Sequence, residues 1–91
     1  MRTVDYYRGL EESIRALLAK LRAVLSPEET NEVEAFLDAG EYGIALETLC
    51  WTLSTENKLV SAEVVDGISK LAEQMELDSG IWTDLAARSG N

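Results

Sequence analysis

An all-α fold, a compact single-domain bundle of four to five antiparallel helices, is predicted by three features of the sequence. Apolar residues recur at three- and four-residue intervals along most of the chain, the mark of amphipathic helices. No segment alternates apolar and polar residues for long enough to read as a strand. The polar breaks between periodic stretches are short, which makes successive helices antiparallel neighbours. The 91 residues, 46% of them hydrophobic, amount to one domain, 1–91, with enough apolar material for a core. A chain of this size buries only about 60–65% of its unfolded surface, so modest stability is expected.

The first helix is predicted from about Thr3 or Asp5 to Leu25. Leu10, Ile14, Leu17, Leu21 and Val24 form its stripe, widened by Leu18 and Leu25. A dimeric coiled-coil seam would need about three or four heptads, and this stripe has two, so it is read as an intramolecular core face. Ser26-Pro27-Glu28-Glu29 then starts a second helix. Ser26 caps it, Pro27 suits the first helical position, and Glu29 completes an S-x-x-E capping box. Val33, Phe36 and Leu37 face inward, and the helix should stop near Ala39, with Gly40 left-handed just beyond it.

Helix three follows at once. Tyr42, Leu46, Leu49 and Leu53 make one stripe, flanked by Ala45 and Cys50, while Ile44 and Trp51 lie seven apart on the opposite side. A helix apolar on both sides is read as central and buried. The other reading is an exposed Ile44–Trp51 patch that meets a partner. Ser54 to Val60 is a short polar connection ending in extended Leu59-Val60. Ser61 caps helix four, with Val60 and Val65 as a hydrophobic staple. Val64, Ile68, Leu71 and Met75 form its core stripe, and Gly67 within it marks a close helix contact. Asp78 caps a short fifth helix through about Ala87, with Leu77 and Trp82 as a second staple. The tail 88–91 is expected to fray.

Composition excludes several functions. The chain has no His, one Cys, and 8 Lys and Arg against 17 Asp and Glu, for a net charge of −9. Catalytic triads and dyads that use His are therefore absent, as are imidazole metal sites. A single Cys makes neither an internal disulfide nor a zinc cluster, which suits a reducing compartment. Cys50 has no basic neighbour to stabilise a thiolate and is read as a buried structural residue. The negative balance argues against direct nucleic-acid binding. Charged residues throughout the first twenty positions leave no signal-peptide core, and no stretch reaches the roughly 20 apolar residues of a membrane span. There is no phosphate-binding glycine loop, and Glu28, Glu29 and Glu32 lack the glycine turn of a calcium loop. No cofactor, no metal, no catalysis and a cytoplasmic location are the expectations.

The charge is unevenly placed. Residues 26–57 hold eight acids and no base. On a helix, Glu28, Glu32, Glu34, Asp38 and Glu41 spread over the arc opposite Val33, Phe36 and Leu37. Glu28/Glu32 and Glu34/Asp38 are like-charge i,i+4 pairs, each costing roughly 0.2–0.5 kcal/mol, with no base nearby in sequence to relieve them. Such a face can simply be solvated. The sharper reading is a docking surface for a basic partner, which a concentrated negative field would steer into place.

The run Gly40-Glu41-Tyr42-Gly43-Ile44-Ala45-Leu46-Glu47-Thr48-Leu49 resembles the MafI family of bacterial immunity proteins. So do Leu25-Ser26-Pro27-Glu28-Glu29 and Val33-Glu34-Ala35-Phe36-Leu37-Asp38-Ala39 before it. Ile68, Leu71, Met75-Glu76-Leu77-Asp78, Trp82 and Leu85 continue the likeness, which covers roughly residues 26–85 and leaves out the N-terminal helix. The resemblance implies an all-α, non-enzymatic protein made beside a secreted or contact-delivered polymorphic toxin. Such proteins bind the toxin's C-terminal domain, often an RNase or DNase, and block it in the producing cell. Taken with the acidic face, it makes Glu32, Glu34, Asp38, Glu41, Glu47 and Trp51 the candidate partner-binding residues. Glu41 and Glu47 are the motif members best able to face outward, and Trp51 stands where that pattern calls for a polar residue. Gly40, Tyr42 and Ala45 also resemble the turn of a tetratricopeptide unit, which gives a helical adaptor as the alternative function. A repeat of about 34 residues would place its next glycine at position 74, which is Gln74, so no array follows.

Overall fold

In the computed structural model, which describes residues 4–56, 58 and 60–88, five helices follow one another: α1 Val4–Lys20, α2 Pro27–Asp38, α3 Tyr42–Thr55, α4 Ala62–Gln74 and α5 Gly80–Arg88. No strand occurs among the described residues. A radius of gyration of 12.3 Å is what a single domain of this length should have. The predicted all-α bundle is therefore the fold.

α1 is shorter than its apolar stripe suggests, ending at Lys20 instead of Leu25. Beyond Lys20 the backbone tightens. The Leu21 amide donates to both Leu17 and Leu18 carbonyls, and the amides of Val24 and Leu25 both donate to Leu21. Ser26 must be extended because Pro27 follows it, so the helix unwinds before that point. The stripe is nonetheless internal. Leu10, Ile14, Leu17, Leu18, Leu21 and Leu25 are all buried within the one chain.

The α2 start has both halves of the capping box: the Glu29 amide donates to Ser26 Oγ at 3.1 Å, and the Ser26 amide to Glu29 Oε1 at 2.9 Å. Its end is a Schellman turn. Gly40 takes φ +77°, its amide donates to Leu37, and the Glu41 amide reaches back to Phe36. α4 ends with the same pair of bonds, Glu76 to Glu73 and Leu77 to Ala72, but here the left-handed residue is Glu76 at φ 59°. Ser61 caps α4 by accepting from the Val64 amide, and both members of the Val60/Val65 staple are buried. Asp78 accepts from the Gly80 amide at the start of α5, while Leu77 and Trp82 are half-buried. Leu59 and the tail beyond Arg88 lie outside the described residues.

α3 is the centre of the packing and touches each of the other four helices. Ala45, Leu46, Leu49, Cys50 and Leu53 are sealed, none more than 1% exposed. The expectation that α3 is buried on both sides fails, however. Ile44 is 42% exposed and Trp51 68%. The bundle is flattened, 37 × 26 × 17 Å, and four short neighbours cannot enclose a fifth helix on every side. Elsewhere the contact marked by Gly67 is present: a Cβ there would lie 3.3 Å from Leu17 Cδ2, so the α4 backbone packs directly against a Leu17 side chain of α1.

Candidate partner-binding surface

The open face of α3 is where the predicted residues converge most clearly. At about 100° per residue, Ile44, Glu47 and Trp51 fall within about 60° of arc, and Ile44 and Trp51 stand about 10 Å apart along the axis. Ala45, Leu46 and Leu49 anchor the opposite side in the core, so the outward direction of this stripe is fixed by burial, not chosen locally. Glu47 is exposed and makes no ion pair among the described residues. Beside it, α3 and α5 enclose a cleft of about 320 Å³ lined by Glu47, Cys50, Trp51, Ser54, Ile81 and Asp84, with no Lys or Arg in its wall among the described residues. Across this cleft Ser54 Oγ donates to Asp84 Oδ2 at 2.6 Å, tying the two helices together.

Cys50 forms part of the wall but is only 1% exposed. Burial, and secondarily the Glu47 carboxylate, push its thiol up to about 12. A thiol that stays protonated at neutral pH is no nucleophile. The cleft brings together an exposed indole, an aliphatic side chain, the exposed Glu47 carboxylate and the Ser54-bonded Asp84.

The acids of α2 are deployed otherwise. Arg15 of α1 binds Asp38 Oδ1 at 3.0 Å through Nη2, stands 3.9 Å from Glu34 Oε2, and binds Glu11 at 3.0 Å through Nε. The hydrogen bond that Arg15 donates to Glu11, together with the one it donates to Asp38, outweighs desolvation and raises the affinity of Arg15 for its proton. Sequence distance had left Glu34 and Asp38 without a base; the fold supplies one across 19 and 23 positions. Glu29 is likewise occupied by the capping box, with Lys58 Nζ at 4.0 Å.

Glu32 projects from the opposite flank of α2, exposed and without an ion pair among the described residues, and Glu41 is exposed at the position preceding α3. Thus Glu47 and Trp51 lie together, Glu41 stands at the head of the same helix, Glu32 lies on the open flank of α2, and Glu34 and Asp38 are held against α1. Sequence reasoning missed Arg15 and Asp84. Arg15 had a faint signal, being one of five bases concentrated in residues 1–25. Asp84 had none, because only the docking of α5 beside α3 brings it to the cleft. Among the described residues, no three carboxylate or thiol groups converge as metal ligands would. Comparison of the chain with protein-family models, with curated proteins and with solved structures yields no match.

Proposed function

We propose that this protein is a non-catalytic inhibitor of the immunity type, which binds the C-terminal domain of a bacterial toxin in the cytoplasm of the cell that makes it. The toxin domain is basic, of the kind that acts on nucleic acid, and the inhibitor covers a surface meant for phosphates. One observation carries the reading: a tryptophan 68% exposed beside an unpaired glutamate, on the helix that carries the family-like run. Single exposed apolar residues are ordinary. A Trp and an Ile on one stripe, beside an acid-walled cleft, have the composition of a binding hot spot with a charged rim. The net charge of −9 would speed encounter with a basic partner.

Interface size sets the footprint. A specific complex takes about 800 Å² from each partner, out of a total surface of 5469 Å² here. The α3 stripe alone is too narrow for that, so the footprint extends to the open flank of α2 with Glu32 and to the exposed edge of α5.

The test is co-expression with the toxin domain encoded beside this chain. The wild-type protein should restore growth and bind tightly. Trp51→Ala should weaken binding by about 30-fold or more. Glu41→Lys with Glu47→Lys should slow association about tenfold and flatten its salt dependence, while Glu34→Lys changes it less. Rescue from no toxin domain would defeat the proposal and favour the adaptor reading, in which the α2–α3 hairpin docks another cytoplasmic protein.

A further inference from the structure

A second recess opens at the head of α3, at the other end of the stripe from Trp51. It has a volume of about 310 Å³, and its walls include Tyr6, Tyr7, Glu41, Tyr42, Ile44 and Leu77. The tyrosines form one continuous aromatic wall. Tyr6 meets Tyr7 edge-on at 5.3 Å, and Tyr7 stacks on Tyr42 at 6.0 Å with 26° between the planes. Tyr6 is held by donating its hydroxyl to the Gln74 carbonyl in the last turn of α4. Tyr7 is 42% exposed.

Among the described residues the charge lining this recess has one sign. Gly40, just past the end of α2, and Met75, just past the end of α4, both line it, so two helix C-termini bring partial negative charge to the same place. Glu41 adds a full carboxylate that is unpaired among the described residues. Among the described residues no Lys or Arg lines the walls. Aromatic faces attract cations, and a planar guanidinium stacks on them better than an ammonium does. The volume is at the lower limit for a small-molecule site, which suits a single side chain.

We propose that this recess receives one arginine side chain of the basic partner, its guanidinium lying on the Tyr7–Tyr42 wall and bonded to Glu41. This rests on the reading of the protein as a binder of a basic domain and names the chemistry of one anchor. With Trp51 it gives the α3 stripe an aromatic contact at each end, Ile44 lying between them.

N-acetyl-arginine amide, titrated into the full chain and followed by NMR, tests it. N-acetyl-citrulline amide, which has the same shape and no charge, is the control. The arginine probe should bind saturably, in the millimolar range for a lone side chain, with shifts concentrated on Tyr7, Glu41, Tyr42 and Ile44. Citrulline should bind at least about fivefold more weakly, Glu41→Gln should cost about threefold, and Tyr7→Leu should abolish saturation. Equal response to citrulline, unsaturable shifts scattered over all the acids, or full binding by a folded Tyr7→Leu variant would overturn the proposal. The two readings fail separately. Arginine binding without toxin rescue removes the immunity function and leaves the recess; rescue with a Tyr7→Leu variant of unchanged partner affinity removes the recess alone.

Discussion

Two acidic surfaces of this molecule, close in sequence, have opposite electrostatic fates. On the α1-facing flank of α2, Glu34 and Asp38 share the guanidinium of Arg15 with Glu11. On the outer stripe of α3, Glu47 stands beside an exposed Trp51 with no cation near it among the described residues. Both belong to the base-free stretch 26–57, and local sequence does not distinguish them. The lesson is that a run of acids is not yet a surface. Part of such a run, here Glu34 and Asp38, is consumed in holding one helix to another.

The sharpest way to break the comparison is to ask whether the α3 stripe also holds the fold together. Leu49, fully buried on the inner side, should cost about 2–5 kcal/mol when cut to Ala. Trp51→Ala, on the outer side, should cost less than about 1 kcal/mol in the same urea titration. Similar losses for both would return Trp51 to the core.

A somewhat smaller effect tests how far Glu47 reaches inward. The Cys50 thiol, raised by burial first and by Glu47 second, keeps its proton in the folded state to about 12 and loses it in the unfolded state from about 9. The folded state then binds more protons than the unfolded one, so stability is full below pH 9 and declines as pH rises toward 12. The loss over that window should be a few kcal/mol at most. It should be missing from Cys50→Ala, measured as the difference between the two urea-stability profiles. Glu47→Gln should shrink it.

The smallest effect belongs to the clamped flank. Arg15→Met should destabilise by about 1 kcal/mol, through lost ion pairs and the like-charge Glu34/Asp38 pair it leaves behind. The difference from wild type should fade in about 1 M salt, where charges more than about 3 Å apart are screened. A stability unchanged at low salt would mean that Arg15 does not clamp this flank, and the two surfaces would be alike.

Much of the fold was legible because it rests on local rules. Ser26, Pro27 and Glu29 dictate the α2 start by a bonding pattern complete within four residues, and Gly40 its end by a backbone angle that other residues adopt at a cost. Glu76 shows where that rule runs out: α4 stops in the same left-handed turn without a glycine to announce it. The end of α1 was misjudged because apolar periodicity continues through Leu21 and Leu25 after the helical bonding has changed. Of the candidate site, Glu41 and Glu47 were recognised as outward-facing from their motif. The burial expected for Ile44 and Trp51 is not found, since a helix apolar on two faces can turn either one to solvent when its neighbours cover only one.

The sequence by itself determined five helical segments, most of their caps, and a charge of −9 gathered largely in the middle of the chain. Periodicity and capping act over three or four residues and need no partner element. Only the tertiary structure decided which acids are neutralised, which face of α3 is left open, and which tyrosines gather around Glu41. Those outcomes depend on residues as distant as Arg15 and Asp38, or Tyr6 and Gln74, meeting in space. Charge and burial act through space at the range of a few ångströms, and the order of residues along a chain specifies such distances only once the helices have packed.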